Sequence, residues 1–191
     1  MLTNHDEINT IATKIRAILN IKHDNSNLNE IIKKLGGTII FNSFCDSKSK
    51  VIKTSSNNFE IQLNNIFNSA DISFFIAHEL GHLFLHMKYL INPTFWESIP
   101  NGFSHDYNNN LPYAILENEA DLFASSFLMP KDEFIKIVYK TSDNSYYYPS
   151  QIAEYFNVTI QLAKFRGKNL GLWEWFWKWK EDIKKLRILK N

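Results

Sequence analysis

His78, Glu79 and His82 stand in the run His78-Glu79-Leu80-Gly81-His82, an H-E-x-x-H spacing. On a helix, residues four apart share a face, so the two imidazoles lie one turn apart and can grip a single metal ion. The glutamate between them can reach a water on that ion and take its proton. The chemistry this spacing points to is zinc-dependent hydrolysis of a peptide bond.

A five-residue pattern is weak alone, so its surroundings decide. The stretch 71–87 carries Ile72, Phe74, Phe75, Ile76, Ala77, Leu80, Leu83, Phe84, Leu85 and Met87. A helix apolar all round belongs in a core. Two histidines and a glutamate buried there are costly without partners. The competing reading is a pair of hydrogen-bonded core histidines.

A catalytic zinc usually takes three protein ligands and leaves one position open. His86 lies eight residues beyond His78, about 12 Å along a helix that rises 1.5 Å per residue, so it cannot share an ion with His78. It reads as a structural residue or a support for the ligands. His105 and Asp106 fall in a loop and stay open as ligands. The better candidate is in Glu117-Asn118-Glu119-Ala120-Asp121. Glu117 and Asp121 share a helix face, which continues through the small residues Ala120 and Ala124 and so allows close packing on the histidine helix. Glu119, two residues on from Glu117, is expected to turn to the opposite side. With Glu117 on the metal, Asp121 can hydrogen-bond the free ring nitrogen of a ligand histidine and fix its tautomer. The alternative for this acidic cluster is a solvated helix start, where carboxylates suit the dipole.

The elements that must position these residues follow from periodicity. Ile8, Ile11, Ile15, Ile18 and Leu19 predict a helix over 6–19. Asn27 is placed to cap a second short helix that ends at Gly36-Gly37. Strands are expected at 38–41, 50–52 and 59–63, with 55–58 as a turn between the last two. The histidine helix follows. The segment 91–112 has three prolines and many asparagines and reads as a long loop. A helix over 113–128 stops at Met129-Pro130, and further helical pieces run to the end. A few early strands followed by helices is an α+β pattern. No repeat or linker shows, so residues 1–191 read as one domain with its core at about 38–171.

The bulk composition narrows the function class. The chain has 191 residues, 45% hydrophobic and 21% charged, with a formal net charge of +1. That is ordinary for a soluble globular domain and gives no strong field for nucleic acid or an anionic membrane. The lone Cys45 excludes an internal disulfide and suits a reducing compartment. Residues 1–14 lack the apolar core of a secretory signal, and no apolar run approaches a bilayer-spanning length. A cytoplasmic protein is expected.

Taken together, Phe75-Ile76-Ala77-His78-Glu79-Leu80-Gly81-His82, Leu85-His86, Glu117-Asn118-Glu119-Ala120-Asp121-Leu122-Phe123-Ala124 and Phe127-Leu128-Met129-Pro130 resemble the ImmA/IrrE family of metallopeptidases. That family pairs an A-H-E-x-x-H helix with a later E-x-x-A-(N/D)-x-F-A-x-x-(L/F)-L-x-P helix. The likeness covers about 50–171. It is looser over Ile152-Ala153-Glu154-Tyr155-Phe156-Asn157-Val158-Thr159, which is similar to the family's helix-turn-helix-like piece. The resemblance implies a zincin-like domain with His78, His82 and Glu117 on zinc and Glu79 as general base. It also implies a bacterial, cytoplasmic protein, often from a mobile element, that cleaves a helix-turn-helix repressor and so acts as an anti-repressor. Some members carry a separate DNA-binding or sensor domain, for which 191 residues are expected to leave no room.

Peptide hydrolysis also needs a donor for the oxyanion. His105, Tyr107 and Tyr113 are the candidates, and the sequence does not choose among them. The segment 149–166, with Lys164, Arg166 and Lys168 nearby, has the outline of a DNA-reading helix-turn-helix, but no wider basic stripe accompanies it and direct nucleic-acid binding is not expected. The Trp-rich tail, 172–191, reads as aromatic packing over the domain or as a protein-docking surface. Two function classes remain: a site-specific protease, and a non-catalytic zinc module that sequesters a regulatory partner. The glutamate of H-E-x-x-H favours the first, because a structural zinc needs no base. A closed four-ligand site, with His105 as the fourth, would favour the second.

Overall fold

The computed structural model describes residues 4–42, 48–64, 69–104, 113–141 and 148–172. Cys45, His105, Tyr107 and the tryptophans of the tail lie outside them. The architecture is α+β, with eight α-helices and a three-stranded sheet among the described residues.

Helix α1 (His5–Ile18) opens on a reciprocal cap, in which Asn4 Oδ1 accepts from the Asp6 amide and Glu7 Oε2 from the Asn4 amide. Its apolar stripe buries Ile8 and Ala12. In α2 (Leu28–Lys34) Asn27 holds the N-cap position but makes no side-chain cap bond. Its amide is used instead to close the preceding turn, accepting from the Lys22 amide at 2.9 Å and donating to Asn20 O at 3.0 Å.

Strands β1 (Gly37–Phe41), β2 (Ser49–Ser55) and β3 (Asn58–Leu63) form a sheet of order β1-β3-β2. The β2–β3 hairpin is antiparallel and β1 pairs parallel with β3. Val51, Phe59, Ile61 and Leu63 alternate into the core.

The expected helix over 71–87 is two structures. Helix α3 (Ser69–Gly81) gives way to a π-helical turn, His82–His86, closed by the Met87 amide on His82 O at 2.9 Å. The segment 91–112 is not a plain loop either. Asn92 Oδ1 accepts from the Phe95 amide and Pro93 sits at the first position of α4 (Pro93–Ser98). Asn-Pro reads as a loop signal in sequence, but an N-cap followed by proline also starts a helix. The buried Lys53 of β2 donates to Trp96 O and Ile99 O at 2.7 and 2.8 Å, fastening the end of α4 over the sheet.

Helix α5 (Tyr113–Leu128) has the bounds its sequence predicts and runs through the centre, against α1, α3 and α8. It packs tightly on α3 at Gly81, where a Cβ would stand 3.0 Å from the Ala120 Cα. Helices α6 (Lys131–Thr141), α7 (Pro149–Phe156) and α8 (Ile160–Asn169) complete the described chain. Asn157, at φ +51°, turns α7 into α8, and Thr159 caps α8 by accepting from the Leu162 amide. Among the described residues no helix is long and apolar enough to cross a membrane.

Candidate metal centre

The Gly81–Ala120 contact sets the site. It lets α3 and α5 approach so closely that side chains on the flanks of the contact meet across it. His78 Nε2 and His82 Nε2 lie 3.0 Å apart. Glu117 reaches both, with one carboxylate oxygen 3.3 Å from His78 Nε2 and the other 3.2 Å from His82 Nε2. One ligand atom from each of these residues lies within 4.8 Å of the others.

This donor set fits a metal ion. Two imidazole nitrogens bound tetrahedrally at about 2.1 Å would sit about 3.4 Å apart, close to the spacing here. Two nitrogens and one carboxylate also make the three-ligand set that leaves a position open.

The outer nitrogens of both histidines are held. His78 Nδ1 is 2.9 Å from Asp121 Oδ1. A carboxylate only accepts, so Nδ1 carries a hydrogen, and Nε2 is the nitrogen left to offer its lone pair to an ion once its own hydrogen is displaced. His82 is fixed by a longer chain. His86 Nε2 lies 3.1 Å from Glu119 Oε2, and His86 Nδ1 lies 2.9 Å from His82 Nδ1. With His86 neutral, Glu119 takes the hydrogen of His86 Nε2, His86 Nδ1 accepts from His82 Nδ1, and His82 Nε2 again offers its lone pair. Glu119 therefore does not turn away from the site as its spacing from Glu117 suggests. It is buried, and it supports His82 through His86.

Glu79 is buried between the two histidines in sequence, and Ser49 Oγ donates to its Oε1 at 2.6 Å. Ser49 opens β2, so the sheet places this donor; nothing in the sequence pattern singled it out. Burial pushes the Glu79 carboxyl up, opposed by the His82 and His78 imidazoles and by Ser49. Burial disfavours charge on His78, yet the Asp121 and Glu117 carboxylates outweigh it and push the imidazole up to about 10. Burial likewise acts against a charged Glu117, but the hydrogen bonds from His78 and His82 hold its carboxyl well below the usual range.

Of the oxyanion candidates, Tyr113 opens α5, its side chain lying outside the described part, and His105 and Tyr107 are outside it altogether. Arg166, expected beside a DNA-reading helix, is buried instead. It donates to Met129 O at 2.9 Å and Ser126 Oγ at 2.7 Å.

Residues 32–168 match the model of the Peptidase_M78 family, the IrrE N-terminal-like domain. The chain belongs to this family. It thus carries a metallopeptidase-type domain, and His78, Glu79, His82, Glu117 and Asp121 all fall within the matched span. Among curated proteins none matches it by sequence. A solved structure of a Mycobacterium tuberculosis transcriptional regulator shares the fold, with a TM-score of 0.55 and 13% identity over 82% of this chain and 45% of that one. The chain thus spans less than half of that regulator, and the likeness is one of fold alone.

Proposed function

We propose that this chain is a cytoplasmic zinc endopeptidase, folded as one domain, whose substrate is a helix-turn-helix transcriptional repressor. It would act as an anti-repressor for a mobile element or a stress response. The observation that carries the hydrolytic reading is Glu79. A structural metal site needs only ligands, whereas here a buried carboxylate stands in the ligand helix, oriented by Ser49 and held at raised proton affinity.

His78, His82 and Glu117 would hold the zinc, with Asp121 and the His86–Glu119 pair fixing the histidines. Zinc, when bound there, supplies a Lewis acid that polarises the peptide carbonyl and acidifies water. Glu79 takes a proton from the attacking water as its oxygen adds to the carbonyl carbon. It then delivers that proton to the amide nitrogen as the C–N bond breaks. Ser49 holds one oxygen of the Glu79 carboxylate by donating to it. The repressor substrate rests on family membership.

The test is a census of new protein N-termini in host cells expressing the wild type or Glu79→Gln. New termini in a repressor, present only with the wild type, are expected. Termini identical in both, with zinc bound in both, would overturn the protease reading in favour of a binding module.

A further inference from the structure

Away from the metal centre, a cavity of about 120 Å³ lies where α1, α5, α6 and α8 meet. That is several times the room one water needs. Its wall includes Arg166, which is only 2% exposed. The guanidinium donates from Nε to Met129 O at 2.9 Å, from Nη1 to Ser126 Oγ at 2.7 Å and from Nη2 to Asn9 Oδ1 at 2.5 Å. These bonds close the end of α5, yet every acceptor is neutral and none balances the charge. Arg16, also buried, differs, because the Glu133 and Asp24 carboxylates act on it. Burial lowers Arg166 to about 10 with no carboxylate opposing it, and among the described residues none forms an ion pair with it. A buried cation without a counter-charge is costly. Asn169, three residues along α8, lines the same cavity, and its Nδ2 is buried without an acceptor among the described residues. A buried donor left unpaired points to a missing acceptor. Lys131 and His5 stand at the exposed rim. Asp6 is the one carboxylate in the described lining, against two fixed positive charges, so the surplus is positive.

We infer that this cavity is a binding site for a phosphate-sized oxyanion, free or as the terminal phosphoryl group of a small molecule. The three bonds of Arg166 use three of its five N–H groups and leave two for an anion. Lys131 comes from α6, Asn169 and Arg166 from α8 and His5 from α1, so the donors converge from different elements. A tetrahedral anion accepts from several directions and suits such a set, whereas a planar carboxylate offers two oxygens in one plane. Binding ties α8 to α1 and α6, and by mass action it stabilises the folded chain. The inference does not depend on the peptidase reading, since Lys131, Asn169 and Arg166 stand apart from the metal ligands and Glu79.

The test is thermal unfolding of the full chain in sodium phosphate against sodium chloride at matched ionic strength. The midpoint should rise with phosphate along a saturating curve, by about 3–5 °C at ten times the half-saturating concentration. Glycerol phosphate should match inorganic phosphate if the site reads a terminal phosphoryl group, and should do nothing if it takes the free ion. An equal response to acetate overturns the tetrahedral class. Lys131→Gln should raise the half-saturating phosphate about 3-fold. Asn169→Asp sets a carboxylate one turn from Arg166, in place of the anion, and should abolish the saturable rise. No rise overturns the site. So does a rise that never saturates, which is a general salt effect. A saturable rise that both variants keep in full puts the phosphate elsewhere and overturns it too. Should Asn169→Asp fail to fold, the Arg166 Nε–H signal in the NMR spectrum of the wild type decides. A saturable shift with phosphate supports the site, and a signal that stays in place overturns it.

Discussion

Helix α5 carries a polar cluster at each end, and the two are built on opposite principles. Near its start, Glu117, Glu119 and Asp121 face three imidazoles across the α3 contact. At its finish, two buried guanidiniums converge on backbone oxygens: Arg16 donates to Phe127 O at 2.8 Å and Arg166 to Met129 O at 2.9 Å. The arginine end is closed. Its donors meet the carbonyls that every helix leaves unpaired at its C-terminus, where the dipole also favours cations. Burial lowers both guanidiniums to about 10, and for Arg16 the more distant Glu133 and Asp24 charges offset part of that. The imidazole end is a donor set: its inner nitrogens and carboxylate converge on one point where a cation can be held. One cluster holds the fold; the other offers ligands to an ion.

If that contrast is right, substitutions at the two ends separate activity from stability. The largest effect is expected at Glu79. Glu79→Gln removes the base and keeps the shape, so repressor cleavage should fall by about 10²–10⁴-fold with zinc content and thermal midpoint near the wild type. Loss of zinc in that variant would mean Glu79 supports the ligands rather than the reaction. At the other end, Arg166→Met leaves the Met129 carbonyl and the Ser126 hydroxyl without their donor. It should cost about 3 kcal/mol of folding free energy in urea titration, while the protein that remains folded binds zinc as before. A zinc affinity that fell in step with stability would erase the distinction between the ends.

Gly81 lies between these extremes because it belongs to both packing and site. Gly81→Ala puts a methyl 3.0 Å from the Ala120 Cα. The contact is with backbone, so α5 must move. About 2 kcal/mol of destabilisation is expected, together with weaker zinc binding as Glu117 is carried away from the histidines. Stability lost with zinc affinity unchanged would show that the ligands do not depend on this approach.

Much of this was legible in the chain. The bounds of α5 follow from its apolar repeat and the Met129-Pro130 stop, and the pairing of Glu117 with Asp121 follows from four-residue spacing. The π-helical turn does not, because one bond from Met87 to His82 O leaves no mark on periodicity. Asn92-Pro93 carries two opposite signals, and only the anchoring of Trp96 by Lys53 decides between them. Ser49 was hidden because the sheet, not the helix that carries Glu79, brings it to the carboxylate.

Glu119 was misread for a reason that yields the finest test. Two residues from Glu117 means roughly opposite sides of an isolated helix. The contact axis, however, passes through Ala120, so Glu119 and Asp121 flank it about 100° to either side and both meet α3. Asp121 then supports His78 directly, while Glu119 supports His82 through His86. Removing such outer partners commonly weakens a metal site 10–100-fold. Glu119→Gln should therefore lower zinc affinity about 10-fold, read by competition with a chromogenic chelator, because an amide no longer demands the hydrogen of His86 Nε2. His86→Ala should do at least as much. The double variant should be no weaker than His86→Ala alone, since both residues act on His82 through one chain of hydrogen bonds. Additive losses would mean that Glu119 reaches the metal ligands by a route other than His86.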